Sequence, residues 1–213
     1  MRVVVIPMKP LAGAKERLAP ALNPGERRRL SLAMLADVIA AARRFERVWV
    51  LNSDPDAAAV AIDAGVEPIL DPAPGLGLNA SLTEATKRSL DEGANGVLIV
   101  SADVPAVSAE DLEALSDKAG LALAPDRSGS GTNALWRAPA NAIEVAFGTS
   151  SRAAHERLAR EAALDVRVID RPGLALDVDT PDDLAAAWAH GVGPATRRAL
   201  EEMGVAARLR LAG

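Results

Sequence analysis

Three aspartates of this sequence have the residue type and the spacing that bind a divalent cation. Asp177 and Asp179 stand two residues apart in LALDVDTP, so on an extended segment their side chains point to the same side. Two carboxylates on one side repel each other unless a cation lies between them. Asp103 ends the run GVLIVSAD, either as a third ligand or as an ordinary turn or capping residue. We expect all three to bind Mg²⁺, which prefers carboxylate oxygens.

A cationic segment follows the first apolar run of the chain. The stretch VVVIPMKPLAGAKERLAP, residues 3–20, contains Lys9, Lys15 and Arg17, and Gly13 allows the backbone to approach a ligand closely. These cations can contact the oxygens of a polyphosphate. The alternative is a solvated loop, because lysine and arginine in loops usually serve the surface. The sequence has neither G-x-x-x-x-G-K-S/T nor G-x-G-x-x-G, so we expect side chains rather than a glycine-rich loop to bind any phosphate here.

The stretch PAPGLGLNASL, residues 72–82, combines a flexible turn with an amide side chain. Gly75 and Gly77 allow the turn, and Asn79 stands near the start of the next predicted helix. An amide side chain and free backbone N–H groups suit the edge of a purine base or a ribose. The alternative is that Asn79 only caps the helix, as asparagine often does.

Two further stretches offer donors to a small anion. In PDRSGSGTNALW, residues 125–136, Thr132, Asn133 and the glycine-containing turn before them can form an anion-binding nest of backbone N–H groups. The alternative is a plain hairpin turn. In AFGTSS, residues 146–151, two serines precede a predicted helix, and a helix N-terminus attracts anions. Together the stretches predict a pocket for a phosphate or a carboxylate.

A cationic segment, three carboxylates, a nucleoside loop and a small-anion pocket together favour nucleotidyl transfer. In that reaction a phosphate attacks the α-phosphorus of a nucleoside triphosphate, and pyrophosphate leaves. The sequence offers no convincing catalytic base. None is needed, because a phosphate monoester with a second pKa of about 6 is already mostly a dianion at neutral pH. Positioning and charge neutralisation then account for the rate.

The composition excludes several other classes of function. The chain contains no cysteine and two histidines, which excludes thiol nucleophiles and thiolate metal sites and disfavours a Ser-His-Asp triad. Its net charge of -5 argues against nucleic acid as the main partner, because binding to a phosphate backbone requires a cationic surface. No apolar run has the length of a membrane span, so we expect no membrane partner and a cytoplasmic location.

Strand-like and helix-like runs alternate along the chain and must position these residues. GVLIVSAD contains the most convincing buried strand, and Asn23, Pro24 and Glu26 mark the start of a helix. The alternation predicts a single α/β domain of three layers, a mostly parallel mixed sheet with helices on both faces. Ligands of such sheets bind beyond the carboxyl ends of the strands. We expect residues 1–190 to form this nucleotidyltransferase domain and residues 191–213 to form a helical extension.

Seven motifs, in this order, carry a family resemblance: IPMKP, AKERLAP, LNASL, ADVP, GSGTNAL, FGTSS with the His155 that follows it, and PGLALDVDTPDDL. In order and spacing they resemble those of the guanylyltransferases of coenzyme F-420 biosynthesis, which join GMP from GTP to 2-phospho-L-lactate in archaea or to phosphoenolpyruvate in many bacteria. The resemblance implies a nucleotide-diphospho-sugar-transferase-like (Rossmann-like) fold and a Mg²⁺-dependent reaction. The Ala- and Arg-rich composition is typical of a GC-rich bacterial genome and favours phosphoenolpyruvate.

The resemblance also implies which residues bind the metal and the acid. The metal carboxylates are Asp103, Asp177 and Asp179. The ligands of the phosphorylated acid are Thr132, Gly148 and Ser151. Two positions depart from the family pattern, since Ser150 stands where a glycine is expected and Arg152 where an aromatic residue is common. Both bear on how tightly the acid is bound.

The remaining implied roles concern the nucleotide. Lys15 and Arg17 match the catalytic cations that bind the triphosphate, Lys9 is a further nucleotide-binding candidate, and Asn79 faces the guanosine. The expected partners are GTP, a small phosphorylated three-carbon acid, and the next enzyme of the pathway, to which the unstable product is handed over. Two other interpretations remain: a nucleotidyltransferase of the same fold making a nucleotide sugar or molybdopterin-guanine dinucleotide, and a non-catalytic nucleotide-binding protein.

Overall fold

A seven-stranded sheet forms the centre of the computed structural model, which describes residues 1–11 and 13–209. Its strands are β1 (Arg2–Pro7), β2 (Arg47–Asn52), β3 (Glu67–Leu70), β4 (Gly96–Val100), β5 (Gly120–Pro125), β6 (Thr132–Ala138) and β7 (Val166–Val168). Their order is β3-β2-β1-β4-β6-β5-β7, and among these strands only β6 runs antiparallel to its neighbours. The predicted mostly parallel mixed sheet is confirmed.

Helices connect the strands and begin where the sequence predicts caps. Asn23, Ser108 and Thr180 each accept a hydrogen bond from the backbone N–H three residues on, and the acidic side chain at that position bonds back. In the described residues the α-helices are α1 (Pro24–Ala42), α2 (Pro55–Asp63), α3 (Leu78–Asp91), α4 (Ala109–Ser116), α5 (Ser151–Glu161), α6 (Pro172–Ala175), α7 (Pro181–His190), α8 (Pro194–Glu202) and α9 (Val205–Arg208). The sequence does not predict α6 and α9, because one turn carries no periodic pattern.

Helices cover both faces of the sheet and complete the three predicted layers. Successive residues of β1 point to opposite faces. Val4 and Ile6 belong to a core with α1, α2 and α4. Val3 and Val5 belong to a second core with α3. Because a parallel strand is buried on both faces, it reads as the continuous apolar run that the sequence shows.

Helix α8 packs against α1, and a buried carboxylate fixes its start. Asp37 on α1 accepts hydrogen bonds from the backbone N–H groups of Ala195 at 2.9 Å and Thr196 at 2.8 Å. Gly193, the N-cap residue, leaves room for this contact, since a Cβ there would lie 2.3 Å from the Cγ of Asp37. The carboxylate therefore satisfies two N–H groups that the helix itself leaves unpaired.

Helix α8 lies within the segment that is predicted to form a helical extension. The boundary between a domain of residues 1–190 and an extension of residues 191–213 stays a prediction, and residues 210–213 lie outside the described residues. Within the described part of the chain, no helix is both long enough and apolar enough to cross a membrane.

Candidate active site

A cavity of about 780 Å³ opens at the carboxyl ends of the parallel strands. It lies where the strand order reverses, because β1 has β2 on one side and β4 on the other, and ligands of such sheets bind at this point. Since β6 is antiparallel, its amino end reaches the same edge. Most of the predicted site residues line the cavity: Lys9, Lys15, Asp103, Thr132, Gly148, Ser151, Asp177 and Asp179.

Lys15 lies between two of the predicted metal carboxylates. Its Nζ donates one hydrogen bond to Asp103 and another, of 2.8 Å, to Oδ1 of Asp179. Burial lowers the pKa of the Lys15 ammonium, but the charges of Asp103 and Asp179 outweigh burial and leave this pKa raised. Burial likewise raises the pKa of Asp179, and the Lys15 charge reverses the effect, so this pKa is lowered. The contact is therefore an ion pair at neutral pH.

Asp177 is held by an amide rather than by a cation. Nδ2 of Asn133 donates to Oδ1 of Asp177 at 3.0 Å and to the carbonyl oxygen of Leu174 at 2.9 Å. Burial raises the pKa of Asp177, the Asn133 hydrogen bond lowers it, and the charges of Asp103 and Asp179 raise it again, with a net increase. Unlike Asp179, this carboxylate carries a charge that its surroundings disfavour, and a bound cation would relieve that cost.

The donor chemistry of this wall fits Mg²⁺, because Asp103, Asp177 and Asp179 supply the hard oxygens that the ion prefers. The side chains are nevertheless not gathered into a ready site. Across residues 1–11 and 13–209, no group of three or more His, Cys, Asp or Glu is arranged to hold a metal ion. Lys15 occupies the space between Asp103 and Asp179 instead. Magnesium binding stays a prediction, and Lys15 would compete with the ion for Asp103 and Asp179.

The other two predicted cations lie toward the rim. Nη1 of Arg17 is 3.6 Å from Oδ2 of Asp179, and the Arg17 side chain is 70% exposed. Lys9 is exposed and lines the cavity, and together with Lys15 it offsets the effect of burial on the pKa of Asp179. The contacts of Arg17 and Lys9 with a nucleotide stay predictions.

The three predicted acid-binding residues come from two elements. Thr132 opens β6 and Ser151 opens α5, and they are only 6% and 2% exposed. Gly148 has a φ of 134°, in the region that favours glycine. At the start of α5, the Ser151 N–H donates to the Gly148 carbonyl at 3.2 Å and the Arg152 N–H to the Ser130 carbonyl at 3.1 Å. Since these N–H groups are engaged, an acid bound here would also depend on the Thr132 and Ser151 hydroxyls.

The predicted nest of N–H groups before Thr132 is filled by a side chain of this chain. Oδ1 of Asp126 accepts hydrogen bonds from the backbone N–H groups of Ser130 and Gly131, both at 2.9 Å. A Cβ at Gly131 would lie 2.7 Å from Oδ2 of Asp126. These two N–H groups thus serve the hairpin turn, as in the alternative interpretation, and anion binding by this turn stays a prediction. The presence of Asp126 in the sequence could have indicated this contact, because aspartate side chains commonly accept hydrogen bonds from the backbone of their own turn.

The backbone conformation of Ser150 explains why glycine is expected at this position. Its φ of 55° lies in the left-handed region, and its side chain makes no capping hydrogen bond to α5. A residue with a Cβ is strained there, whereas glycine is not. Arg152, at the position where the family resemblance implies that an aromatic residue is common, donates to Oε1 of Glu156 on its own helix at 2.9 Å. The serine at position 150 therefore carries backbone strain, whereas Arg152 forms an ion pair on its own helix.

Asn79 does not cap α3. The N-cap residue is Gly77, and Asn79 lies within the first turn of the helix. Its side chain exchanges two hydrogen bonds with the backbone of Phe147: Nδ2 donates to the carbonyl oxygen at 2.9 Å, and Oδ1 accepts from the N–H at 2.8 Å. The amide therefore joins α3 to the segment that carries Gly148. A guanosine contact stays a prediction, and it would use the remaining N–H and lone pair of this amide.

His155 received no role in the sequence analysis, yet it contacts a predicted acid-binding residue. It is fully buried on α5, with Nδ1 3.2 Å from Oγ1 of Thr132 and Nε2 3.0 Å from the backbone nitrogen of Ala146. The Phe147 ring meets the imidazole edge-on, at 5.0 Å between centroids. The spacing between Ser151 and His155 could have indicated this position, because residues four apart lie on the same face of a helix and the Ser151 face is predicted to meet the acid.

Comparisons with known proteins agree on one family. The family model described as "Guanylyl transferase CofC like" matches residues 1–211. A phosphoenolpyruvate guanylyltransferase of Sphaerobacter thermophilus is 41% identical over 194 residues, which cover 88% of this chain and 93% of that protein. A 2-phospho-L-lactate guanylyltransferase of Methanothermobacter thermautotrophicus is 36% identical over 203 residues, which cover 93% of this chain and 89% of that protein.

A solved structure supports the fold. A protein of Desulfovibrio desulfuricans G20 described as a nucleotide-diphospho-sugar transferase superimposes with a TM-score of 0.75, over 98% of this chain and 96% of that one. The two sequences are 16% identical, so the likeness concerns the fold alone. It confirms the predicted nucleotide-diphospho-sugar-transferase-like architecture.

Proposed function

The chain belongs to the CofC-like guanylyl transferase family, and from this membership we propose that it joins the GMP part of GTP to phosphoenolpyruvate. The products would be enolpyruvoyl-2-diphospho-5'-guanosine and pyrophosphate, within coenzyme F-420 biosynthesis. Phosphoenolpyruvate is favoured because the relative named for it is the more similar of the two described above. 2-Phospho-L-lactate is the alternative acceptor, since the second relative carries that name.

The observation that carries this proposal is a single cavity with two chemically different walls. One wall has Lys15 and the predicted metal carboxylates, which suits a triphosphate and its cation. The other has the buried hydroxyl residues Thr132 and Ser151 with Gly148, which suits a small phosphorylated acid. Two substrates bound on these walls would share one space, and the transfer of a nucleotidyl group requires that proximity.

The chain has to supply positioning and charge rather than a base. An oxygen of the acid's phosphate attacks the α-phosphorus of GTP. A phosphorus–oxygen bond forms there, and the bond to the bridging oxygen breaks, so that the bond electrons leave with pyrophosphate. The attacking phosphate is already mostly ionised at neutral pH, because its second pKa is about 6. The obstacle is repulsion between two anions, and cations near both groups reduce it.

We assign the cationic side chains to the triphosphate. Lys15 would exchange its contact with Asp179 for the phosphates, and Arg17 would reach them from the rim. Lys9 is the weaker candidate, because it is exposed and, unlike Lys15 and Arg17, forms no ion pair with a described residue. Together these residues would stabilise the negative charge that gathers on the leaving pyrophosphate. Asn79 would contact the guanosine from the first turn of α3.

Asp103, Asp177 and Asp179 are the residues that would hold Mg²⁺. When bound, the ion would neutralise phosphate charge and orient the triphosphate. The pKa of Asp177 is raised first by burial and then by the charges of Asp103 and Asp179, which means that its negative charge is disfavoured. A cation bound beside the three carboxylates would stabilise that charge, which supports this assignment. Lys15 supplies part of this positive charge through its ion pairs with Asp103 and Asp179.

A product assay tests the proposed function. Pyrophosphate release is measured with GTP and Mg²⁺ in the presence of phosphoenolpyruvate, 2-phospho-L-lactate or 3-phosphoglycerate, and with no acid. We expect release only with an acid, and fastest with phosphoenolpyruvate. Fastest release with 2-phospho-L-lactate would establish the alternative acceptor. Equal release without any acid, or a preference for ATP over GTP, would contradict the assignment and favour another nucleotidyltransferase of this fold.

The proposal involves neither nucleic acid nor a membrane as partner. Hand-over of the unstable product to the next enzyme and a cytoplasmic location remain expectations. A non-catalytic nucleotide-binding protein would bind GTP but release no pyrophosphate in the same assay. The assay therefore separates the enzymatic and the non-catalytic interpretations.

A further inference from the structure

His155 joins two segments of the acid-binding wall from a fully buried position on α5. Its Nδ1 is 3.2 Å from the hydroxyl oxygen of Thr132, at the start of β6. Its Nε2 is 3.0 Å from the backbone nitrogen of Ala146, two residues before Gly148. Both ring nitrogens are therefore engaged, and neither faces solvent.

The backbone of Ala146 determines where the imidazole carries its proton. A backbone N–H can only donate, so Nε2 must accept and cannot itself be protonated. In a neutral imidazole the proton then lies on Nδ1, and Nδ1 donates to Oγ1 of Thr132. The opposite tautomer would place two donors against each other at 3.0 Å.

The surroundings keep this imidazole neutral. Burial lowers the pKa of His155 to about 4, and the positive charge of buried Arg137 contributes in the same direction. At neutral pH the ring therefore has a single N–H. Nδ1 carries it and donates to Thr132, while Nε2 accepts from the backbone N–H of Ala146.

The Thr132 hydroxyl is left with a proton to donate. Its oxygen accepts from Nδ1, so its own hydrogen points away from the imidazole. Within the described residues, the imidazole is the one hydrogen-bond partner found for this hydroxyl, and Thr132 lines the cavity. A ligand group that meets Thr132 is therefore offered a donor, as a phosphate or a carboxylate requires.

We propose that His155 is a positioning residue for the acid substrate: it fixes the Thr132 hydroxyl as a hydrogen-bond donor directed into the cavity. The inference rests on the proposed function for the identity of the ligand. The tautomer and the role of the hydroxyl follow from the contacts alone. The edge-on contact with Phe147 fixes the ring plane, so that both hydrogen bonds are made at once.

Nitrogen NMR tests the tautomer directly, because the chain has two histidines. In ¹⁵N-labelled protein at pH 7, we expect Nε2 of His155 to be the unprotonated ring nitrogen and Nδ1 the protonated one. Exposed His190 is identified by its loss in the His190→Gln variant. A spectrum with the proton on Nε2, or with both nitrogens protonated, would overturn the inference whether or not the chain is a guanylyltransferase.

Two substitutions separate the two hydrogen bonds of the imidazole. The amide of asparagine can replace Nδ1, and that of glutamine can replace Nε2. His155→Gln therefore keeps the Ala146 contact and loses the donor to Thr132, and His155→Asn does the reverse. We expect His155→Gln and Thr132→Val each to raise the KM for the acid on the order of tenfold with little change in the KM for GTP. His155→Asn should restore most of this loss.

The double variant completes the test. If His155 acts through Thr132, then combining His155→Gln with Thr132→Val should raise the KM for the acid no further than either change alone. Multiplied effects, or an equal rise in the KM for GTP, would overturn the positioning role. His190→Gln is the matched control and should leave both KM values unchanged. If no acid supports turnover at all, the proposed function fails, while the NMR result still decides the inference about His155.

Discussion

The ammonium group of Lys15 lies 2.8 Å from Oδ1 of Asp179, across 164 positions of sequence. Lys15 adopts a left-handed backbone conformation, with a φ of 56°, which is uncommon for a residue with a side chain. The same ammonium also bonds Asp103. A lysine of the first loop thus occupies the space between two carboxylates that we assign to Mg²⁺, where it would compete with the ion.

Replacing Lys15 should separate metal binding from turnover. In Lys15→Met the competing ammonium is absent, so we expect Mn²⁺, used as a spectroscopic substitute for Mg²⁺, to bind the nucleotide-free protein on the order of tenfold more tightly. Turnover should nevertheless fall, because the triphosphate loses a cation. Titration followed by electron paramagnetic resonance measures the first effect. Arg17→Met is the control, since this exposed side chain lies 3.6 Å from Asp179 and should change the Mn²⁺ affinity less.

Asp177→Asn should abolish turnover and leave the fold intact. Asparagine keeps the oxygen that accepts from Asn133, and it removes a charge that burial and the nearby carboxylates disfavour. We therefore expect a free energy of unfolding no lower than that of the wild type, measured in urea, together with loss of Mn²⁺ binding. Asp165→Asn makes the same change at an exposed position just before the amino end of β7. The cavity lies at the carboxyl ends of the parallel strands, so this variant should remain active. An active Asp177→Asn protein would show that the carboxylate assignment is wrong.

The buried imidazole should make stability depend on pH below neutrality. The pKa of His155 is about 4 in the folded chain and about 6.5 when unfolded, so only the unfolded chain takes up a proton between these values. Proton uptake by the unfolded chain weakens folding as the pH falls. This histidine therefore contributes about 3 kcal/mol to the free energy of unfolding above pH 6.5, and the contribution is lost as the pH falls to 4.

Urea unfolding between pH 7 and pH 5 measures this slope. The free energy of unfolding should fall less steeply in His155→Asn than in the wild type, because the variant has no imidazole to protonate at this position. His190→Gln removes the other histidine from an exposed helix end and should retain the wild-type slope. Parallel slopes for His155→Asn and the wild type would refute the prediction.

Asp37 should contribute to stability through the start of α8 rather than through catalysis. Asp37→Ala removes the acceptor of two helix N–H groups in a buried site, and we expect a loss of about 2 kcal/mol in urea unfolding. Thr196→Val is the matched control, because the buried Thr196 hydroxyl has no hydrogen-bond partner among the described residues and its removal should not destabilise. Loss of activity without loss of stability in Asp37→Ala would contradict this role.

The sequence predicted the elements well because their signals are local. Asn23, Ser108 and Thr180 cap helices through residues three positions away, and the apolar run of β4 is buried as a parallel strand must be. The convergence of the loops on one edge also follows from a general rule of α/β sheets. Fold class and the location of the site could therefore be predicted.

Contacts between distant side chains could not be predicted. Asn79 has the residue type and the approximate position of a helix cap, but its amide bonds Phe147, 68 positions away. Asp126 fills a turn whose glycines indicate an anion site. His155 contacts Thr132 only because the tertiary structure brings α5 next to the start of β6. Each outcome depends on which partners the tertiary structure brings together, and a single sequence does not record that choice.

The hydrogen bonds between Asn79 and Phe147 have a consequence for how two substrates influence each other. One amide connects the first turn of the helix assigned to the nucleoside with the residue before Gly148. A movement of α3 therefore displaces the segment at Phe147, and the reverse also holds, because the two hydrogen bonds of Asn79 join them. Free-energy linkage then imposes reciprocity: whatever factor GTP adds to the affinity for the acid, the acid must add to the affinity for GTP.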